Sequence, residues 1–439
     1  MDKPAVRRVL QTLPKDLNET YDRILQNIPH TRVHNAIKLL QLLIFSRRPL
    51  LLSELVDAIA TEPDAEPPFA FEDRVDPAKA IIEYCPSLVV LTTTNKRTYD
   101  RNGIEFKITI QLAHFSVQEY LLLDREENPY QLAFTKEVAH TRITQVCLAY
   151  MCTAARASRA QPNASEFRFT DYAVDKWPEH AKIAGDSGEM TFEWARELFT
   201  SEKIFQYWLE YYTSGSCLMD SLSEKTLYYA SEFDLCRSVK HLLEAHADVG
   251  GSRYELALMA LMTACKFDSI ETVRFLLLDC CVNPNHQYRG QSALHIAANA
   301  GHVRILHLLL DHDADVNAQA GDYGSVLTSA CRHAPGHISR EIVQCLLNNG
   351  AKVNIRGGSH GPALYAASTR GDVGVVEMLI RAGADVNDAG GKYGSASLNY
   401  YSVEVVQMLR KNGFMSRKQR EMMSSPGRIL FDHFLSRLS

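Results

Sequence analysis

Residues 291–317 read QSALHIAANAGHVRILHLLLDHDADVN, and this stretch decides the fold. Ser292-Ala293-Leu294-His295 combines a small hydroxyl residue able to cap a helix with a leucine that points into a core. Ala297 and Ala298 continue that helix, and Gly301-His302 breaks it. A second helix is expected from about Val303 to Asp311, after which Asp315-Val316-Asn317 turns the chain onward.

The pattern recurs. Leu227, Leu261, Leu294, Leu327 and Leu364 form a column with gaps of 34, 33, 33 and 37 residues. Three positions beyond each stand Ala230, Ala264, Ala297, Ala330 and Ala367, and one further on come Ser231, Cys265, Ala298, Cys331 and Ser368. Small residues are needed where neighbouring helices meet backbone to backbone, because bulk there would push a stack apart. Second helices repeat as well, in HLL (241–243), FLLL (275–278), HLLL (307–310), CLL (345–347) and EMLI (377–380). This column resembles ankyrin repeats, with Ser-Ala-Leu-His standing where they carry Thr-Pro-Leu-His. The resemblance implies a solenoid of helix pairs over residues 222–414, five repeats and a shortened last one.

Departures from the period carry their own expectations. The fourth repeat has about four extra residues at RHAPGHIS (332–339), which should lengthen the turn between its helices. The last, KYGSASLNYYSVEVVQML, is short in its inner helix and lacks the Ala-small pair. The tail, 415–439, carries Ile429, Leu430, Phe434, Leu435 and Leu438, which could form an apolar stripe that caps the stack. Gly350, Gly383 and Gly413 mark a left-handed position directly after the outer helix, so Asp313, which holds it in the third repeat, should also have φ > 0. His246 and Cys281 hold it in the first two.

A chain of 439 residues is too long for one core, since single cores stop growing at about 250–300 residues. Its net charge of −5 argues against a broad nucleic-acid face, which needs clustered Lys and Arg. Ten cysteines without CxxC spacing fit a reduced, intracellular chain, expected in the cytoplasm with the nucleus left open. MDKPAVRRVL has no apolar h-region, and no run approaches the ~18 apolar residues of a membrane span.

Before the repeats, helices are expected over 3–13, 18–27 and 31–46 and, capped by Ser53, through Ile59. TEPDAEPPFAFED (61–73) reads as an acidic, proline-rich loop with few hydrophobic anchors, and Asp76-Pro77 as the start of another helix. SLVVLTTT and IEFKITIQL are β-rich runs whose connection holds Asn102-Gly103, suited to a tight turn. Ser116-Val117-Gln118-Glu119 reads as a capping box opening a helix through Leu123. Helices followed by one hairpin wing and a closing helix describe a winged-helix-like domain at 30–125. Its expected recognition segment, DPAKAIIEYCPS, has one Lys, one Glu and no Arg or Asn, which disfavours DNA binding. A helical connector at 126–221 follows, with Trp177, Trp194 and Trp208 as core rings. The fold class is thus mainly α: a winged-helix-like domain, a helical connector and an ankyrin solenoid.

LPKDLNETYDRIL (13–25), LLQLLIFSRRPLLLSEL (39–55), EYCPSLVVL (83–91) and QLAHFSVQEYLLLD (111–124) resemble fungal NACHT–ankyrin proteins, NLR-like ATPases switched by nucleotide. YAVDKWPEHA (172–181) resembles that family's connector. The resemblance implies that 1–29 ends the helical segment behind an ATPase core, and that His114 stands where a histidine senses the phosphates of bound ADP. The alternative reading of His114 is a buried or half-buried histidine beside a helix cap. No GxxxxGK[ST] occurs, so no loop here can cradle a triphosphate and aim a lysine at it. The chain reads as the C-terminal half of such a protein, whether as a natural short form or as an incomplete gene product.

Two motifs mimic chemistry. Gly357-Gly358-Ser359-His360-Gly361 fits G-x-S-x-G, which works only between a buried strand and a helix; here it falls between two repeats. His333 and His337 have i, i+4 spacing, but Ala-Pro-Gly between them interrupts a helix. No enzyme site, cofactor or metal site is expected. The function expected is a non-enzymatic protein–protein interaction module binding another protein, with no nucleic acid, membrane or small-molecule substrate. The rival is a part of a NACHT ATPase signalling protein, and a more distant one is a winged-helix DNA-binding regulator. The expected binding surface is the concave face: Tyr288, Arg289, Asn299, Asp322, Tyr323, Arg332, Arg356, His360, Tyr365, Thr369, Lys392 and Tyr393, since aromatics and Arg dominate interface energetics.

Overall fold

In the computed structural model the described residues are 17–74, 84–85, 87–94, 99–100, 103–104, 107–123, 130–157, 166–186, 188–212, 221–245, 252–320, 324–333, 336–355, 358, 361–387 and 403–414. They divide into two units, one within 1–226 and 235–241, the other within 227–234 and 242–439.

The first unit opens with α1 (Leu17–Gln26), α2 (His30–Phe45) and α3 (Leu52–Ala60). Leu39, Leu40 and Leu42 of α2 are buried, as its helical period requires. Ser53 does not cap α3: the Glu54 carboxylate accepts from the Leu51 N–H at 2.8 Å and holds Arg48 through two further bonds. A longer acid side chain reaches back to the free amide that a serine at this register would miss. At the far end of α3, the buried Lys38 ammonium donates to the carbonyls of Ile59 (2.9 Å) and Thr61 (2.6 Å) and to Glu62 (2.7 Å). Burial pulls its pKa down to about 8. The 61–73 loop is better anchored than its composition suggested. Phe69 is 3 % exposed and packs edge-on against Tyr150, and Arg142 also grips Glu62.

β1 (Val89–Thr94) pairs antiparallel with β4 (Lys107–Leu112), and β2 (Tyr99–Asp100) with β3 (Gly103–Ile104). Asp100 lies opposite Gly103, so Gly103 belongs to a strand and not to the turn. A bridge from Leu51 to Thr109 ties the hairpin to the start of α3. The segment 76–87 falls outside the described residues except Tyr84, Cys85 and Ser87, of which Tyr84 and Cys85 are buried. α4 spans Phe115–Leu122.

A 3-10 turn (Gln131–Phe134) leads into α5 (Lys136–Ala157), followed by α6 (Thr170–Ala184), α7 (Glu189–Thr200) and α8 (Glu202–Tyr211). α5 is buried nearly all round, which explains why its sequence shows no clean apolar stripe. Trp177 and Trp208 are fully buried with ring centroids 6.1 Å apart, whereas Trp194 is half-buried. Beneath α5 a buried carboxylate collects a polar centre. Asp57 accepts from Arg74 at 2.7 and 2.9 Å, from the Tyr150 hydroxyl at 2.6 Å and from the Arg168 amide at 3.0 Å. A buried charge demands such partners, because leaving it unpaired would cost several kcal/mol.

α9 (Leu222–Glu232) and α10 (Cys236–Ala245) begin the periodic part. In the second unit α11 (Ser252–Phe267) and α12 (Ile270–Leu278), α13 (Ala293–Ala300) and α14 (Val303–Leu310), α15 (Val326–His333) and α16 (Gly336–Asn348), and α17 (Ala363–Arg370) and α18 (Val373–Arg381) are successive pairs, closed by α19 (Val403–Lys411). Inner helices α11, α13, α15 and α17 pack in one row, outer helices in a second. Ala264, Ala297, Ala330 and Ala367 are all 0 % exposed, which is what the small-residue column demands. The fourth repeat differs from expectation: its insertion lengthens the outer helix to 13 residues, against 8 in α14, so the extra residues form another helical turn. Positive φ follows the outer helices α12, α14, α16, α18 and α19, at Cys281 (52°), Asp313 (61°), Gly350 (85°), Gly383 (87°) and Gly413 (88°). A short hairpin joins β5 (Gln319–Ala320) to β6 (Gly324–Ser325).

Asparagines stitch one repeat to the next. The Asn285 side chain donates to the Asp313 carbonyl and accepts from the Asp315 amide; Asn317 does the same with Gly350 and Lys352, and Asn354 with Gly383 and Asp385. Asn387 donates to the Gly413 carbonyl, so the rung recurs at the last outer helix. The inner helix expected there and the 415–439 tail lie outside the described residues, as does His246.

Candidate functional site

The side chains expected to bind a partner sort into hairpin tips and inner-helix ends. Tyr288 and Gln291 pair across the tip of one hairpin at 2.9 and 3.1 Å, with Arg289 (φ 51°) and Gly290 (φ 77°) between them. Two consecutive left-handed residues give the twist that a two-residue hairpin requires. Arg289 bears a Cβ there, a conformation uncommon outside glycine and worth noticing at a surface tip. Its guanidinium lies over the half-buried Tyr288 ring, 5.4 Å from the centroid. The fold brings these two together.

Asn299, Arg332 and Thr369 each stand five positions beyond their column leucine, at the C-terminal ends of α13, α15 and α17. Arg332 and Thr369 are exposed, Asn299 and Tyr365 half-buried. Asp322, Tyr323, Arg356, His360, Lys392 and Tyr393 lie outside the described residues.

Sequence reasoning passed over three exposed groups on the same unit. Tyr254, at the start of α11, accepts from the Asn283 amide at 3.2 Å and meets His286 Nδ1 at 2.8 Å. Lys266 and Arg370 are exposed at the ends of α11 and α17. The last two were findable, since Lys266 shares the column of Asn299, Arg332 and Thr369, and Arg370 is the next residue. Tyr254 and His286 come from different repeats, and no spacing announces their contact.

Other titratable groups serve the fold. His295 is buried; its Nδ1 meets the Ser292 hydroxyl at 2.8 Å, and its Nε2 meets the Gly324 carbonyl at 3.1 Å. The carbonyl can only accept, so Nε2 carries the proton and donates. Burial lowers its pKa, opposed by the Gly324 carbonyl and by Asp315. His114 is not buried beside a cap; it is the cap. Its ring is exposed, and Nδ1 accepts from the Ser116 amide at 3.2 Å, two residues ahead of the capping box expected at Ser116. The Ser116 hydroxyl is engaged elsewhere, with Tyr21 and His114 Nδ1 at 2.7 Å each. The motif around Ser359 lies between α16 and α17 with Ser359 itself outside the described residues, and Gly358 and Gly361 adopt φ of 68° and 69°. The side chains of His333 and His337 are likewise outside them. Among the described residues no group of three or more His, Cys, Asp or Glu is placed to hold a metal ion, and no helix is long and apolar enough to cross a membrane.

Residues 227–320 match the ankyrin-repeat family in three copies, and residues 362–390 match it once more. The chain is 31% identical over 311 residues to azaphilone pigments biosynthesis cluster protein L of Monascus ruber, an alignment covering 70% of this chain and 61% of that one. It therefore spans less than two thirds of that relative's length. Shorter likenesses reach the NF-kappa-B inhibitor cactus of Drosophila melanogaster, 33% over 81 residues (18% of this chain, 14% of that one). The serine/threonine-protein kinase TNNI3K of Mus musculus is 46% identical over 55 residues (12% and 7%). With the Leu-x-x-Ala-small column buried in every repeat and these matches laid over it, the chain carries a stack of ankyrin repeats.

Proposed function

We propose that this chain is a non-enzymatic protein-binding module whose inner-helix ends and hairpin tips receive a partner protein. The observation that carries the reading is a set of exposed and half-buried polar side chains along the repeats. Asn299, Arg332 and Thr369 recur at equivalent places, with Tyr365 on the same row and Tyr288 with Arg289 at a hairpin tip, while the small residues of the column are buried. Tyr and Arg at such positions give large contact area and charge-assisted bonds at little entropic cost. A photo-crosslinking amino acid placed at Tyr288 or Thr369 should give discrete adducts with a partner in cell extract, and at the outer-helix positions Arg304 or Arg381 should not. Equal adduct patterns from both rows would overturn the reading. The same protein should show no saturable heat of ATP binding; finding it would refute the non-enzyme part.

A second reading, that this is the C-terminal part of a nucleotide-switched NACHT ATPase protein, draws support from two features. Among the described residues of 30–125, α2 and α3 precede the β1–β4 hairpin and α4, an order compatible with a winged helix, and the Leu51–Thr109 bridge adds a third chain to the hairpin. His114 is displayed on the surface at a helix start, where an anion could meet it. The in-frame genomic sequence ahead of Met1 tests this reading: a P-loop there supports it, and a stop codon removes it. A DNA-binding role for the winged region stays the weakest, for want of donors in 76–87.

A further inference from the structure

We infer that the partner presents an extended acidic segment, and that the inner-helix row reads its carboxylates through Lys266, Arg332 and Arg370. The inference rests on the protein-binding reading and narrows it.

Inner and outer rows handle charge differently. The four inner helices α11, α13, α15 and α17 carry Arg253, Lys266, Arg332 and Arg370 against a single carboxylate, Glu255. On the outer helices α12, α14, α16 and α18 three of the four arginines are paired, Arg274 with Glu271 (3.6 Å), Arg340 with Asp372 (3.4 Å) and Arg381 with Glu377, Arg304 being the exception among the described residues. Among the described residues, Lys266, Arg332 and Arg370 have no carboxylate within ion-pair distance, and all three are exposed. Carboxylates in the nearby turns are already engaged. Asp234 accepts from the Thr272 amide at 2.8 Å at the start of α12, and Asp372 from the Val375 amide at 3.2 Å at the start of α18. Asp268 faces His302 at 3.7 Å.

The cations are also held. Arg370 donates to the Arg332 carbonyl at 3.2 Å, which sets its guanidinium at the end of α15, and the Lys266 ammonium lies 4.9 Å from the centre of the Phe267 ring. Positively charged groups gathered at helix C-termini gain something from the helix dipole, which explains why they are tolerated side by side. The dipole leaves their donors available to a ligand.

Spacing selects the ligand. Neighbouring helices pack about 8–10 Å apart, so Lys266 stands two such steps from Arg332, while the Arg370 guanidinium, held on the Arg332 carbonyl, shares the end of α15 with it. An extended peptide advances about 3.3 Å per residue, so two carboxylates about six residues apart, one for Lys266 and one shared by Arg332 and Arg370, meet the three cations in an i, i+6 pattern. A nucleic-acid strand, charged at every nucleotide, would need a continuous basic strip. The third repeat offers Asn299 and Ala300 instead.

The test uses the full chain and a fluorescein-labelled Gly/Ser peptide with Glu at i and i+6, read by anisotropy at low and physiological salt. Controls are the all-Gln peptide, a peptide with the same two Glu placed consecutively, and a thymidine oligonucleotide. Spaced Glu should bind about tenfold tighter than Gln and weaken with salt. Arg332→Glu with Arg370→Glu should weaken it about tenfold further, while Arg304→Glu with Arg381→Glu should not. Equal binding of the Gln peptide or of the consecutive-Glu peptide overturns the inference, as do an unweakened inner-row variant, an equal loss in the outer-row variant and tighter binding of the oligonucleotide. The Gln and consecutive-Glu arms need no protein variant, so a misfolded double reversal leaves the test intact. Crosslinks from Tyr288 and Thr369 to a partner that ignores charge would sink the acidic-segment inference while leaving the protein-binding reading standing.

Discussion

Asp57 gathers hydrogen bonds from residues 17, 93 and 111 positions away, whereas Asn285, Asn317 and Asn354 each reach about thirty residues ahead and repeat the same two bonds. The first arrangement joins α3, α5 and the 166–169 turn at one buried point, so its loss is felt by every element that meets there. The second divides the work among equal rungs, and stability becomes a sum over neighbours. Within one chain, cohesion is thus concentrated in one unit and distributed in the other.

Substitution of Asp57 by Ala probes concentration most directly. It leaves a half-buried Arg74 guanidinium and the buried Tyr150 hydroxyl without this partner; removing one member of a fully buried pair costs about 3–5 kcal/mol, and the partial exposure of Arg74 places the loss toward the lower end of that range. All three tryptophans, at 177, 194 and 208, lie in the first unit, so fluorescence in urea reports that unit alone. A loss below about 1 kcal/mol would place Asp57 with exposed ion pairs and erase the contrast.

The corresponding strike on the stack is Ala297→Leu. Bulk between two inner helices at a fully buried position should cost about 1–3 kcal/mol. The loss should appear in the circular-dichroism transition and leave tryptophan fluorescence unmoved. A simultaneous shift of both signals would mean that the two units unfold together.

Acid sharpens the comparison further. In the first unit His140 and His180 are buried with their Nδ1 atoms 2.7 Å apart, and His180 Nε2 meets the Tyr172 hydroxyl at 2.9 Å. The Arg47 amide donates to the same Tyr172 hydroxyl at 3.1 Å. Burial pushes His140 down to about 4 and His180 down to about 3, with Arg47 opposing charge on both, Lys136 on His140 and Lys176 on His180, while Glu137 favours it on His140. Both folded values lie below the ordinary value of 6.5, so the unfolded chain binds more protons between them. Stability is therefore full above pH 6.5 and falls as the pH drops toward 4, by up to about 1.4 kcal/mol per unit for each histidine. His140→Phe should flatten that slope in fluorescence-detected melts. An unchanged slope would shift the acid sensitivity elsewhere.

The smallest effect belongs to Asp313→Gly. Relief of strain at φ 61° opposes the extra freedom that glycine gives the unfolded chain, and the carboxylate sits at the unfavourable end of α14. Stability should change little or rise by up to about 1 kcal/mol. A loss larger than that in urea would reveal a side-chain bond carried by Asp313.

How much could be read in advance follows the same division. The stack was legible because one column, Leu-x-x-Ala-small, is written five times, and repetition separates signal from chance. The left-handed residue at Asp313 came from the same comparison of rows. Where a feature occurs once, single-residue chemistry misled: Ser53 and Ser116 have the composition of caps, but Glu54 and His114 occupy the geometry. The insertion at 332–339 looked like a longer turn because it contains Pro and Gly, yet packing between outer helices favours another helical turn. Nothing in the sequence links Asp57 with Tyr150, since contacts across 93 residues leave no period. Of the side chains expected at the inner-helix ends, Arg332 and Thr369 are exposed and Asn299 is half-buried, while Lys266 and Arg370, in or beside the same column, were passed over because the column was read for aromatics and Arg at other places.

Each asparagine rung points the same way along the chain, from an earlier repeat to the backbone of the next. On a ribosome adding about 5–20 residues per second, an asparagine is therefore made roughly 2–6 s before the carbonyl it will hold. Every newly emerging repeat finds a donor already in place on its predecessor. The stack is built to be assembled in the order of translation, each finished layer serving as the template on which the next one closes.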